Sequence, residues 1–341
     1  RWFLRRINIR HLRRHGNEVP EVFMGEINAE TLSRMSEYTI SSSGFAAIES
    51  VFDDLVTLVI LLSGFLPWLA AAIMSWQLHF VFSGLIFLGA LALISGFLDL
   101  PFNAYSTFII EKRFGFSTIS FKTWCTDIVK GIAVSAVFMT FLVGLLLALL
   151  SSLPQTWWFW TWLAFAAFQL LMLWLYPVVI APLFNKYEPV KDEQLKNSVM
   201  AMMNKAGLKI EGVYQVDEGR RSRHTNAYFT GLDKTRRIVL YDTLLASHSS
   251  DEIMAVLAHE IGHWKKKHII KQLVFVAVFS LLGLYMAHLF INWTPLYRTF
   301  GFQENTSYIG LFLLGVLAGP LIFVMKPFAA AVTRKFEKEA D

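Results

Sequence analysis

The sequence predicts a mainly α protein that crosses a membrane several times and carries one small α+β region. Two observations carry that class. The 341-residue chain is 55% hydrophobic and only 17% charged, against about 45–50% and about 25% in soluble domains. The excess is also gathered into blocks: uncharged runs fill 55–76, 80–98, 131–184, 272–292 and 307–325. About 20 apolar residues cross a bilayer core as a helix. Buried core helices of a soluble protein need only about 10–14, which these runs exceed.

Taken in order, residues 1–54 form an amphipathic, juxtamembrane arm. Its start is rich in arginine (Arg1, Arg5, Arg6, Arg10, Arg13, Arg14), a composition suited to anionic lipid headgroups. On a chain this apolar, neither that cluster nor the net charge of +5 points to nucleic acid. The run at 131–184 is too long for one crossing, and Ser151-Ser152-Leu153-Pro154-Gln155 supplies a turn in its middle. Six spans follow, at 55–76, 80–98, 131–150, 157–183, 272–292 and 307–325. Pro177, Pro182 and Pro320 should kink their helices. Of the 31 Lys and Arg, only Arg298 falls in the connectors 77–79, 151–156 and 293–306; the rest lie in 1–49, 99–130, 185–271 and 326–341. Basic residues gather on the cytoplasmic side, so those four segments, including the loop 99–130, are expected there. Asp99 and Asp127 border spans, where they could line a hydrated space or sit among headgroups. A single cysteine, Cys125, allows no internal disulfide. The abrupt start at Arg1 and end at Asp341 lead to the expectation that further residues precede and follow.

The sizeable polar stretch, 185–271, reads as a helix over about 190–206, a β-hairpin and a second helix. Residues 226–230 and 237–241 have strand composition and flank the turn-like 231–235. Ser249 and Glu252 form a capping box that opens the second helix.

On that helix lies His259-Glu260-Ile261-Gly262-His263. Histidines four apart project from one helical face and can share a metal ion. Neutral imidazoles suit Zn²⁺, and a catalytic zinc takes three protein ligands and keeps one position open. Glu260 is placed to act as general base without binding the metal. The third ligand is expected from the segment after the last span, 326–341, which returns on the same side. Glu337 is the candidate there, and Asp341, four residues on, could accept the second N–H of a ligating histidine. Glu339 points to another face. His268, five after His263, reads as polar packing or an interfacial anchor, and Lys265-Lys266-Lys267 as a basic flank of the next span.

These segments resemble the zinc-dependent CAAX prenyl proteases, the a-factor-converting enzymes of yeast and their relatives in animals and bacteria. The resemblance rests on 259–264, on His224-Thr225-Asn226-Ala227-Tyr228-Phe229-Thr230-Gly231, on 237–244, on Asp99-Leu100-Pro101 and Glu111-Lys112-Arg113-Phe114-Gly115-Phe116, and on Glu337-x-x-x-Asp341. It implies a seven-span transmembrane helical barrel, six spans being visible here, enclosing a water-filled chamber. It also implies one Zn²⁺ per chain and cleavage of C-terminally prenylated or membrane-associated proteins. The implied compartment is the endoplasmic reticulum membrane in a eukaryote or the inner membrane in a bacterium, and a monomer would suffice. In related metalloproteases the strand before this helix pairs with substrate; here that edge is Asn226, Ala227 and Tyr228, unless the hairpin is only structural. The family also carries a His and an Arg well beyond the third ligand, past Asp341. Two alternatives stand beside this reading: a bacterial membrane quality-control protease with no prenyl requirement, and a transporter or receptor with a vestigial metal site.

Overall fold

The computed structural model describes residues 2–19, 21, 24–25, 28–230 and 237–341. They form two compact units, one of residues 1–77, 89–118 and 299–302, the other of 78–88, 119–298 and 303–341.

The first unit contains α1 (Trp2–His15), α2 (Ala29–Leu62), α3 (Phe65–Met74) and most of α4 (Phe80–Tyr105). The Asn28 side chain caps α2 by accepting from the Thr31 amide. α1 packs along α2, with the Ser36 hydroxyl donating to the Gly16 carbonyl at 2.6 Å and the Arg5 guanidinium to the Ala46 carbonyl. The sequence predicts one span over 55–76, but α2 and α3 bend by 57° there. Gly64, at φ 80°, adopts a left-handed conformation that glycine takes without steric cost. α4 likewise outruns its apolar stretch, passing through a π-turn (Ser106–Ile110) into a short helix (Glu111–Arg113). Tyr38 of α2 pins that extension: its hydroxyl donates to Glu111 Oε1 at 2.5 Å, and its ring packs edge-on against Phe114 and Phe116.

The second unit opens with α5 (Phe121–Ser152) and α6 (Trp157–Leu175), which meet at the predicted turn. α6 runs through a π-turn, Tyr176–Ile180, into a short helix at Ala181–Phe184. Pro177 and Pro182, each lacking a backbone donor, lie in these last two pieces. The polar stretch then folds as β1 (Tyr187–Pro189), α7 (Glu193–Lys205), β2 (Gly212–Val216), β3 (Ala227–Thr230), β4 (Arg237–Tyr241) and α8 (Ser250–Lys265). The sheet order is β1-β2-β4-β3, with β2 parallel to β4 and the other pairs antiparallel. The predicted strands thus pair as expected, while the turn at 231–235 lies outside the described residues. Two further strands were not predicted: β1 has three residues and ends in proline, and β2 has five. Leu195, Val199 and Met203 of α7 and Ile253, Leu257 and Ile261 of α8, each set four apart, bury against Val213, Ala227, Ile238 and Leu240 of the sheet.

α9 (His268–Phe290) and α10 (Ser307–Ala340) complete the unit. The Trp162 indole donates to the Ala277 carbonyl at 2.8 Å, tying α6 to α9. Among the described residues, five helices are long and apolar enough to cross a membrane, or six with the bent α2–α3 pair counted as one span. α10 is one continuous helix through Pro320 and Pro327, so the last span and the segment 326–340 belong to a single helix.

Arg221 joins the polar region to the helices of this unit. Its guanidinium grips Asp127 of α5 through Nε at 2.8 Å and a terminal nitrogen at 3.0 Å. It also donates to the Phe184 carbonyl at 2.7 Å and to the Asn185 side chain. Both partners are largely buried, so Arg221→Ala strands a carboxylate and should cost roughly 2–4 kcal/mol. Arg221→Lys should not restore it, because an ammonium lacks the two-pronged geometry. Thermal unfolding in detergent checks both variants.

Candidate metal centre

The capping box starts α8 as the sequence predicts: Ser249 Oγ accepts from the Glu252 amide, and Glu252 Oε2 accepts from the Ser249 amide at 2.7 Å. Because Ile253, Leu257 and Ile261 take one face into the core, His259, Glu260 and His263 are turned away from it. Lys267, at φ 56°, then breaks the helix, and α9 starts afresh at His268.

Three ligand-type atoms converge on this face. His259 Nε2 lies 3.1 Å from His263 Nε2, and Glu337 Oε2 of α10 lies 3.3 and 3.5 Å from the two nitrogens. Among the described residues this is the one group of three or more His, Cys, Asp or Glu side chains able to hold a metal ion. Donors bound tetrahedrally at zinc distances sit about 3.3 Å apart, so the spacing fits that ion. The proton arrangement fits too. His259 Nδ1 donates to Asp341 Oδ1 at 2.7 Å, which leaves the lone pair of Nε2 facing the cluster. Two imidazole nitrogens and a carboxylate oxygen facing one another are what a cation reconciles.

The contact between α8 and α10 is made by their backbones. A Cβ on Gly262 would stand 2.3 Å from the Ala340 carbonyl oxygen and 2.7 Å from its Cα. Only glycine admits that approach, which puts Glu337 beside the histidines. Glu260 is half-buried; burial pushes its carboxyl up from the ordinary range, while His263 and His259 pull it back down.

Two residues set aside by spacing turn out to serve this cluster. His268 is 1% exposed, with Nδ1 2.9 Å from His263 Nδ1 and Nε2 3.1 Å from Glu339 Oε2. It is polar packing, as predicted, but packing against a histidine of the cluster. Helical spacing could not reveal this, because the Lys267 break removes any common helical wheel for residues 263 and 268. Glu339 does point to another face than Glu337; that face meets α9.

β3 lies at one edge of the sheet beside α8, its Phe229 ring against Trp264 at 5.8 Å. The Tyr241 amide donates to the Asn226 carbonyl at 3.0 Å. Antiparallel alternation with the register Tyr228↔Val239 therefore turns the backbone groups of Asn226 and Tyr228 toward β4. Those of Ala227 and Phe229 face the open edge, where the Ala227 N–H donates to the Asn226 side-chain oxygen at 2.8 Å. Tyr228 instead uses its hydroxyl, 3.2 Å from that of Tyr187, and burial raises its pKa. An apolar cavity of about 700 Å³ adjoins this end of β3, lined by Phe229, Thr230, His263, Trp264, Met172, Leu173, Ile270 and Leu273.

Apolar spans joined to a two-histidine, one-carboxylate cluster define an integral-membrane metallopeptidase. Residues 8–186 match the family model described as CAAX prenyl protease N-terminal, five membrane helices, and residues 189–341 match peptidase family M48. CAAX prenyl protease 1 of Saccharomyces cerevisiae is 32% identical over 350 residues, covering 95% of this chain and 77% of that protein. Its Arabidopsis thaliana homolog is 32% identical over 337 residues, covering 95% and 78%. The crystal structure of S. mikatae Ste24p superposes with a TM-score of 0.91 at 30% identity, covering 99% of this chain and 84% of that one. The chain belongs to peptidase family M48, in its CAAX prenyl protease branch.

Gly262→Ala should favour an isolated helix by about 1 kcal/mol, yet it must push α10 away. Metal affinity, measured by competition with a chelator, should fall roughly tenfold or more, approaching that of Glu337→Ala, while the circular dichroism spectrum keeps its helical content.

Proposed function

We propose that the chain is a zinc-dependent endopeptidase that removes the C-terminal tripeptide from prenylated CAAX proteins at the cytoplasmic face of its membrane. The convergence of His259, His263 and Glu337 beside an open strand edge carries this reading. The names of the relatives support the substrate class, and the placement of Lys and Arg supports the orientation.

Zinc would supply Lewis acidity, acidifying a water and polarising the scissile carbonyl. The rest falls to the chain. His259, His263 and Glu337 are the residues that would hold the ion, a set of three ligands of the kind catalytic zinc sites use. Asp341 keeps the His259 ring turned with Nε2 toward the cluster. Glu260 takes the proton of the attacking water on its carboxylate and returns it to the leaving amine nitrogen. The substrate adds to the sheet as an extended strand, hydrogen-bonded to the outward backbone groups of Ala227 and Phe229. The apolar cavity beside His263 takes its lipid or aliphatic groups and keeps bulk water from the reacting bond.

Purified protein should cleave a farnesylated CAAX peptide faster than its unprenylated twin or a loose membrane protein. Glu260→Gln should lower the rate about 10²–10⁴-fold while zinc stays bound. Undiminished cleavage by Glu260→Gln or after zinc removal would sink the mechanism. Cleavage of the unprenylated substrates alone would replace the CAAX reading with quality control.

A further inference from the structure

His268 opens α9 in a setting that leaves its ring one orientation. The ring stacks on Phe336 of α10, centroids 4.3 Å apart and planes 10° apart. Its Nε2 lies 3.1 Å from Glu339 Oε2, an oxygen that also accepts from Lys271 Nζ at 3.2 Å. Glu339 is thus ion-paired with Lys271. An ionised carboxylate can only accept, so His268 carries its proton on Nε2 and a bare lone pair on Nδ1. That lone pair, 2.9 Å away, accepts the N–H of His263 Nδ1. His263 is then left with its own lone pair on Nε2, the atom in the cluster with His259 and Glu337. The direction of the chain of hydrogen bonds is set from Glu339, the nearer of the carboxylates at its two ends: 3.1 Å from His268, against 3.5 Å between Glu337 and His263 Nε2.

We propose that His268, oriented by Glu339, is a positioning residue for His263, fixing the tautomer and ring plane that offer Nε2 to a metal ion. The assignment rests on reading the cluster as a zinc site. It parallels what Asp341 does for His259, with an imidazole nitrogen in place of a carboxylate oxygen. Glu339 is two residues from Glu337, so the same contact also holds the helix that carries the carboxylate of the cluster against the start of α9.

Two half-replacements separate these roles. His268→Asn sets an amide oxygen near the place of Nδ1, keeping an acceptor for His263 and giving up Glu339. His268→Gln reaches Glu339 and gives up His263. His268→Leu keeps volume and loses both. The full chain, purified in detergent and loaded with zinc, is titrated with a chelator of known affinity, and the zinc-free proteins are unfolded thermally. His268→Asn should hold zinc within about threefold of the unaltered protein, while His268→Gln and His268→Leu should weaken it roughly 10–100-fold. That order should persist where the zinc-free forms unfold at the same temperature. Unchanged zinc affinity in His268→Leu, equal losses in the Asn and Gln variants, or losses that follow unfolding temperature would overturn the assignment. An unaltered protein that takes up no zinc would reject instead the metal reading on which it rests.

Discussion

The backbone contact between Gly262 and Ala340 governs the geometry of the centre. α8 belongs to the sheet's core, and α10 is a 34-residue helix whose apolar part is long enough to be a membrane span. Nothing in the hydrophobic packing of either requires their ends to meet side by side. A glycine between the two histidines removes the one Cβ that would hold the helices apart. At that distance alternate residues of α10 reach different partners: Glu337 the two histidines, Glu339 His268, and Asp341 the far side of His259. One missing methyl thereby gives three carboxylates separate tasks.

The supports around this contact are ordinary ones. A four-residue apolar spacing sinks one face of α8 and leaves the other for polar groups. The capping box fixes where the helix begins, and the left-handed Lys267 fixes where it ends and frees His268 to start a new one. Arg221 ties the polar region to α5 through Asp127. The centre is therefore held from the core side by burial and from the membrane side by continuity of α9 and α10.

Much of this was legible in the chain. Hydropathy located the spans because lipid contact demands unbroken apolar composition, and His259, Glu260 and His263 announced themselves by spacing. Glu337 and Asp341 could be picked out because they share a helical face on a segment that returns to the same side. The failures have physical causes. Hydropathy reports where lipid is met, whereas a helix persists until its hydrogen bonding is interrupted. α4 therefore continues past Leu98, and α2 begins at Ala29, far before the apolar run. The break at Gly64 depends on a backbone angle that composition does not encode. His268 and Glu339 were unreadable because their partnership crosses from one helix to another, and one left-handed residue had already cancelled the periodicity used to judge them.

β3 is four residues long, and only Ala227 and Phe229 turn their backbone groups outward. Exposed strand edges invite indiscriminate pairing between chains, and brevity is one defence against it. In the proposed role as a seat for substrate, a strand this short would work as a gauge. It would engage a few residues of an extended guest and none of a guest folded into a helix. What it would measure is the length of free, unstructured chain a partner presents, largely without regard to which side chains that chain carries.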